Sequence, residues 1–503
     1  MPEELLELIK AGDFSAVVNE LRNGRLAPSP ATSLNAAQYD PTLHDINDPG
    51  KRPDKLVVID KDADDYGMVT NINPNGDINR EGGFRIEKVA RIALALQKLI
   101  VKRAVAFTFG NAPTYTSDAE DTAEQDVLKA IIKIFADVKE RSLNRRIARS
   151  LFSTQEVAEY WYPVEQKEKH EVYGFPTKYK FKVAIFSPAL GDTLWPYFDD
   201  NRDLVAFSRE FTKKDNDLQT RNYFETYTAD EHYLWTCQDG QGIGKAGNWE
   251  LVEGYPRKIT IGKIPIVYAS QPQVEWADVQ SLIDRLEKLL SNFADTNDYH
   301  ASPKIFVQGA VKGFARKGEA GAIIEGEEGA TAQYLSWASA PESVKLEIDN
   351  LLRLMYTITQ TPDISFDTVK GIGAVSGVAL RLLFMDAHLK VQDKCEIFDE
   401  YLQRRANIVK AYVGEANVGW KEAAASLIVE SEIKPYMIED ELNKINILTA
   451  ANGGKQIASQ AETISRLGWT DDPKKELETI QAEEDRANSY MEGEPTYDPG
   501  VGI

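Results

Sequence analysis

Cysteine is nearly missing: Cys237 and Cys395 are the whole complement of a 503-residue chain, and neither lies in a C-x-x-C pair. A disulfide framework is excluded, as is a zinc finger or ribbon, and a reducing intracellular origin is expected. Histidine is as sparse. His44, His170, His232, His300 and His388 are scattered without an H-E-x-x-H, so no metal is expected. Positive charge is in deficit, with 58 Lys and Arg against 79 Asp and Glu and a net charge of −21. Tight nucleic-acid binding relies on cations that neutralise phosphates. That class is disfavoured, though a surface past which nucleic acid slides without sticking is not. No run approaches the roughly eighteen apolar residues of a membrane span. The opening "MPEELLELIK" lacks the basic-then-apolar layout of a signal peptide. A soluble protein is expected, with no membrane partner.

What is present suffices for burial: 43% of residues are hydrophobic and 10% aromatic. The length suggests several structural units. Residues 1–55 start with a short helical pattern and then turn Pro-, Asn- and Asp-rich, which reads as an extended arm. "RIEKVARIALALQKLIVKRAVAF" spaces Ile86, Val89, Ala93, Leu96, Ile100 and Phe107 as one apolar helix face, and "FGNAPTY" stops it. Its other face carries Arg85, Lys88, Arg91, Lys98, Lys102 and Arg103. A second helical stretch over 119–150 ends in the basic "RSLNRRIARS". Both patches are solvated faces on the plain reading.

From about 155 to 268 the period changes to two. "YKFKVAIF", "RNYFETYT", "EHYLWTC" and "RKITIGKIPIVYA" predict a mostly antiparallel sheet region. Two helices follow, over 274–298 and 341–360, with a glycine-rich β piece between them. In the first, Val279, Leu282, Leu286, Leu289 and Phe293 lie near a heptad seam; in the second, Val344, Ile348, Leu351, Met355 and Ile358 do the same. Pro341 suits the first turn of the second helix, and Pro362 ends it. The order helix, β piece, helix would let two rods run antiparallel as a stalk with a compact tip. A long helix to about residue 412 buries a stripe from Leu380 through Phe384, Ala387, Val391, Cys395, Phe398 and Leu402 to Val409. Thirty-five such residues would span roughly 50 Å. Beyond 420 a weaker helical pair leads to "EGEPTYDPGVGI", which reads as a disordered tail.

Catalytic motifs fail one by one. "DTVKGIGAVSGVAL" puts Gly371, Gly373 and Gly377 ahead of the long helix, but Ser376 holds the third glycine position of a dinucleotide fingerprint. No P-loop is formed either, because Val378 and Ala379 follow Gly377 where Lys and Ser or Thr would be needed. The glycines suit a loop that needs φ > 0 and freedom to move, and Ser376 suits a helix N-cap. "DKDADDYG" (60–67) has the alternating acids of a calcium loop, but Asp65 and Asn71 stand where glycine and a bidentate Glu are required. No G-x-S-x-G occurs. No cofactor and no enzymatic activity are expected.

Four landmarks, in order, resemble the portal proteins of tailed bacteriophages, in particular the branch from siphophages of Gram-positive hosts. They are "LQKLIVKRAVAFTFGNAPTY", "GKIPIVYASQPQVEWADVQSLIDRLEKLLSNFADT", "TPDISFDTVKGIGAVSGVALRLLFMDAHLKVQDK" and "RLGWTDDPKKELETIQAEE", together covering about 85–490. The resemblance implies a mainly helical α+β portal fold: a wing over 56–268, stem helices over 269–298 and 340–361, and a β-rich clip over 299–339. It continues with a tunnel loop over 362–375, a long wing helix over 376–420 and a crown over 421–490, with the arm (1–55) and the tail (491–503) outside. It also implies a homo-oligomeric ring, typically of about twelve subunits, at a capsid vertex of the virion. Double-stranded DNA would pass through it during packaging and ejection. Terminase, the major capsid protein and a head-completion adaptor are the implied partners. The implied tunnel-loop residues are Ser365, Phe366, Asp367, Thr368, Val369, Lys370, Gly371, Ile372 and Gly373; the implied stem-packing residues are Leu282, Leu286, Leu289, Ile348, Leu351 and Met355. The competing readings are a nucleotide- or metal-dependent DNA-processing enzyme, for which an intact P-loop or clustered carboxylates are missing, and a head-tail adaptor without a channel.

Overall fold

The computed structural model describes residues 3–59, 83–119, 121–214, 219–237, 247–300, 304–308, 311–313, 325–326, 331–335, 341–363, 382, 384–437, 441–453, 457–470 and 472–491. The chain divides into one unit of residues 1–363 with 386–436 and another of 364–385 with 437–503.

The N-terminal residues, expected as an extended arm, are folded instead. Helices α1 (Glu3–Ala11) and α2 (Phe14–Asn23) form a pair, with Asp13 capping α2 by accepting from Ala16 N at 3.0 Å. Leu5, Val17, Val18 and Leu21 pack with Phe224, Tyr233, Trp235 and Trp249 of a sheet. Arg22 completes the seat, its guanidinium 5.9, 5.7 and 5.7 Å from the rings of Trp195, Phe224 and Trp249 and 2.9 Å from Glu210. Gly24 passes so close to Tyr197 that a Cβ would meet the ring at 2.0 Å. A third helix, α3 (Thr32–Tyr39), precedes two short turns and strand β1 (Lys55–Ile59), which pairs antiparallel with β2 (Gly83–Glu87). Asp40, Pro41, Asn47 and Asp48, from the composition that suggested an arm, serve the turns after α3.

Helix α4 (Leu96–Phe109) is shorter than the expected 85–107 helix and starts later. At its end Gly110 is required for close approach, since a Cβ there would meet Ala106 O at 2.4 Å and Tyr436 Cβ at 2.6 Å. Arg145 Nε donates to Phe109 O (3.0 Å) and Arg141 Nη2 to Gly110 O (2.8 Å), so these cations satisfy helix-end carbonyls. Strand β3 (Thr114–Thr116) follows. The expected 119–150 helix is two, α5 (Thr122–Asp137) and α6 (Glu140–Thr154), broken where Lys139 turns left-handed at φ 57°.

Strands β4 (Glu156–His170), β5 (Thr177–Phe186), β6 (Thr193–Phe198), β7 (Leu204–Lys214), β8 (Thr220–Tyr227), β9 (Glu231–Cys237), β10 (Trp249–Leu251), β11 (Arg257–Lys258) and β12 (Ile266–Ser270) make the sheet region. Two antiparallel sheets result, one in the order β10-β9-β8-β7-β6 with β11 also on β9, the other β12-β4-β5. Alternation explains how both faces are used. Phe224 and Trp235 face α2, while Phe207 and Tyr227 pack on Ala158, Phe186 and Ile266 of the smaller sheet.

After a short turn comes α7 (Gln280–His300), then β13 (Lys304–Gln308), β14 (Val311–Gly313), β15 (Glu325–Gly326) and β16 (Thr331–Leu335), paired β13–β16 and β14–β15. Helix α8 (Pro341–Ile358) follows, then α9 (Met385–Ala416), α10 (Lys421–Ser426) and β17 (Glu430–Glu432), which pairs with β3. Helix α7 explains why α4 starts late. Its Asp295 Oδ1, Ser291 Oγ and Glu287 Oε1 accept from the backbone N–H of Ala90, Ile92 and Leu94 at 2.7, 2.9 and 2.7 Å. Four helical residues rise about 6.0 Å and two extended residues about 6.6–6.8 Å, so an extended segment fits this face amide by amide. The apolar period of 86–93 therefore does not become helix, and Arg91 serves Arg52 O and Asp54, both at 2.8 Å.

Helix α9 is pinned by a fully buried guanidinium. Arg405 Nε and Nη2 donate to the Glu159 carboxylate at 2.7 and 2.9 Å, and Nη1 donates to Asn144 (2.6 Å) and Glu140 (3.0 Å). The Tyr115 hydroxyl also donates to Glu140. Burial is the largest influence on Arg405 and would discharge it, but the surrounding carboxylates hold its pKa well above its ordinary value. In the second unit, α11 (Glu441–Asn452), α12 (Gln460–Leu467) and α13 (Pro473–Met491) follow; Ser459 caps α12, and Gly468, at φ 77°, ends it. Among the described residues no helix is long and apolar enough to cross a membrane. The acidic 60–67 segment, Ser376 and the tail from residue 492 lie outside the described residues.

Candidate functional site

Helices α7 and α8 pack against each other. Leu286 and Leu289 of α7 are buried, as are Leu351 and Met355 of α8, whereas Leu282 and Ile348 are only half covered. Ile283, which the heptad reading passed over, is fully buried. Arg285 Nε and Nη2 both reach Glu347 Oε1, at 2.8 and 2.7 Å, which fixes the register of the two helices on their solvent side. The glycine segment itself, Ser365, Phe366, Asp367, Thr368, Val369, Lys370, Gly371, Ile372 and Gly373, lies outside the described residues. Its two flanks do not.

The incoming flank is a helix terminus built for a sharp stop. Gln360 adopts φ 49°, Thr361 N donates to Tyr356 O at 2.9 Å and Gln360 N to Thr357 O at 3.2 Å. This is the paired bonding of a Schellman end, here with glutamine in the left-handed position that glycine usually takes. Pro362 follows, and its carbonyl accepts from Arg103 Nη1 at 2.7 Å, while the Arg103 guanidinium lies 5.3 Å from the Tyr356 ring.

The outgoing flank returns to the same place. Lys390 Nζ of α9 donates to Thr359 O at 3.0 Å, so its charge sits at the negative end of α8. It also pairs with Glu275 Oε2 at 2.7 Å, and Lys394 takes the other oxygen at 2.5 Å. Burial would raise the Glu275 pKa, but the two ammonium groups hold it below the ordinary value. The Lys390 pKa is lowered, mainly by burial, with Glu275 opposing. A buried charge trio thus joins the residues before α7, the end of α8 and the start of α9. Chemically it can hold and orient backbone. Among the described residues no group of three or more His, Cys, Asp or Glu side chains is placed to bind a metal.

The sequence reading missed Glu275, Lys390 and Lys394, and placed Arg103 on a basic face. The signal was present: Lys390 sits between Ala387 and Val391 of the buried stripe, where a charge requires a partner. Several of the cations assigned to basic faces are spent internally, Arg91, Arg103 and Arg145 on carbonyls and carboxylates, and Lys98 lies over Tyr39 at 5.7 Å. Lys88, Lys102, Arg146 and Arg149 remain exposed.

Among the solved structures that match are parts of gene transfer agent (GTA) particles. The neck of an empty GTA particle, computed with C6 symmetry, has 12% identity and a TM-score of 0.41, over 74% of this chain and 90% of that one. The virion of a native GTA particle gives 11% and 0.35 over 74% and 88%. The neck of a native GTA particle, computed with C12 symmetry, gives 12% and 0.38 over 74% and 88%. No curated protein sequence matches. A family model does, over residues 87–490, a span that takes in the sheets of β4–β12, the α7–α8 pair, both flanks of the glycine segment and the C-terminal helices; the chain belongs to the phage portal proteins of the SPP1 Gp6-like family.

Proposed function

We propose that copies of this portal protein close into a ring of about twelve at one capsid vertex and that double-stranded DNA moves through the central channel, inward on packaging and outward on ejection. In this reading α7 and α8 are the stem, residues 299–339 the clip that meets terminase and later a head-completion adaptor, and 362–375 the loop nearest the DNA. The sheet region with α9 forms the wing, which meets the major capsid protein, and 421–490 forms the crown. The role is structural and not enzymatic. One observation carries the reading: the family match from 87 to 490 spans both rods and the segment between α8 and α9.

The physics supports it. A conduit must not grip its cargo, and a chain with a net charge of −21 offers DNA little counter-charge. A closed ring needs heterologous contacts from subunit to subunit. Leu346, Leu354 and Ile358 of α8 are 63%, 45% and 48% exposed, apolar surface that a neighbour would cover.

Two measurements test the reading. Negative-stain images of the purified protein should show annuli with a central hole, and a protein monomeric under every condition would refute the ring. Deleting 366–373 should leave rings intact but block packaging or DNA retention; capsids that fill normally would remove the loop assignment.

A further inference from the structure

Residues 32–54 lie across the root of α7 as a strap. Tyr39 stacks on Trp276 with ring centroids 5.4 Å apart, and Trp276 Nε1 donates to Gln38 Oε1 at 3.0 Å. Asn35 donates to Gln155 at 2.8 Å, and Arg52 reaches Asn292 and Asp295 at 2.9 Å each. His44 sits in the middle of these contacts, 6% exposed. Its Nδ1 is 2.7 Å from Glu287 Oε1 and its Nε2 is 2.8 Å from Gln38 O.

Both neighbours are acceptors. A carbonyl oxygen can only accept, so Nε2 carries hydrogen, and a neutral imidazole then has a bare lone pair at Nδ1. At 2.7 Å from a carboxylate oxygen that arrangement repels. The pair therefore keeps one further proton, either on the ring or on the carboxyl facing it. The same Glu287 oxygen accepts from Leu94 N at 2.7 Å, so one carboxylate ties down both the strap and the extended segment beside α7.

We propose that this shared proton is a latch: while it is present the strap is fastened to α7, and when it leaves, the strap detaches there. The charged groups around His44 favour the closed state. Glu287 and Asp284 face it from α7, and Asp40 and Asp45 lie on the strap itself. The cations nearby are already engaged, Lys51 with Asp45 at 2.5 Å and Lys98 near Asp40. Burial pulls the His44 pKa down, but Glu287, the Gln38 carbonyl and Asp284 outweigh it and leave it above the ordinary 6.5. A group raised on folding stabilises fully below its unfolded value and loses that contribution as pH rises through its folded value. The latch is thus closed below pH 6.5 and opens on the alkaline side.

The test uses full-length protein carrying 5-fluorotryptophan, with the Trp276 resonance among the eight tryptophans assigned by Trp276→Phe. Between 6.5 and the folded-state pKa the open-to-closed ratio at Trp276 should rise about tenfold per pH unit. Glu287→Gln keeps an oxygen for Leu94 N but removes the carboxylate charge that retains the proton, so the alkaline opening should vanish. His44→Gln has nothing to titrate and should also show no transition, which keeps the test decisive if Glu287→Gln fails to fold. A Trp276 line unchanged from about pH 6 to about pH 9 in the unmodified protein overturns the latch, and so does a transition that persists in His44→Gln.

Discussion

Lys390→Met is the sharpest probe of the join between α8 and α9. Methionine keeps most of the buried stem and removes the ammonium, which deletes the bond to Thr359 O and one of the two cations on Glu275. Breaking a buried ion pair by removing one partner costs about 3–5 kcal/mol. Here the loss is smaller, because Lys394 still holds Glu275 at 2.5 Å and because Lys390 itself sits in a site that disfavours its charge. A local cost of about 2 kcal/mol is left, roughly a thirtyfold shift in an opening equilibrium. Hydrogen exchange of the full chain should show it as faster exchange over 355–363, where Gln360 N and Thr361 N close the end of α8, while the sheet strands stay protected. Lys390→Arg, which can still donate to a carbonyl and a carboxylate, should restore most of the protection. Exchange in 355–363 that changes less than about threefold in Lys390→Met would refute the reasoning, as would Lys390→Arg behaving like Lys390→Met.

Arg405→Met leaves Glu159 and Glu140 buried without their cation and should cost about 3–5 kcal/mol in denaturant unfolding, with Glu159→Gln in the same chain recovering part of it. Ser291→Ala removes the acceptor of Ile92 N and should cost about 1 kcal/mol, read as faster exchange at that amide. Glu275 has a depressed pKa, so its contribution is present above pH 4.5 and is lost as pH falls through the folded value. Glu275→Gln should therefore flatten the acid limb of the stability profile.

How much of this was legible depends on where the governing contact lies along the chain. The sheet region was readable because period-two runs of aromatic and β-branched residues are local signals, and they became β4 to β12. Helices α7 and α8 were readable for the same reason. The failures are non-local. Residues 88–95 carry a helical apolar period, yet the amides of Ala90, Ile92 and Leu94 belong to side chains some two hundred positions on, at Asp295, Ser291 and Glu287. Among the described residues the N-terminal helices bury Leu5, Val17, Val18 and Leu21 fully, with Leu8, Ile9 and Phe14 packed against them. So short an apolar set could not outweigh the turn-rich composition around it, and Arg22 finds its three rings only once the sheet exists. At the candidate site the glycines and the prolines around α8 were visible. The charge trio was not, because Glu275 and Lys390, over a hundred positions apart, are brought together only when the segment before α7 meets the start of α9.

The two sides of the site are held in different ways, and this predicts where it yields. On the α7 side, Glu287, Ser291 and Asp295 bond the backbone of 90–94 directly, so sliding the extended segment breaks all three bonds together. On the α8 side, the end of the helix is held by two long side chains from elsewhere, Arg103 on Pro362 O and Lys390 on Thr359 O, which can lengthen one at a time. Cooperative backbone capture resists opening more than independent side-chain ties do, since no partial loss of register leaves the remaining bonds in geometry. Native-state hydrogen exchange should therefore find Ala90, Ile92 and Leu94 opening together and late, and Gln360 and Thr361 opening well before them. The reverse order would mean that α7, not the end of α8, is the compliant element, and would move the search for the moving part of this portal to the other rod.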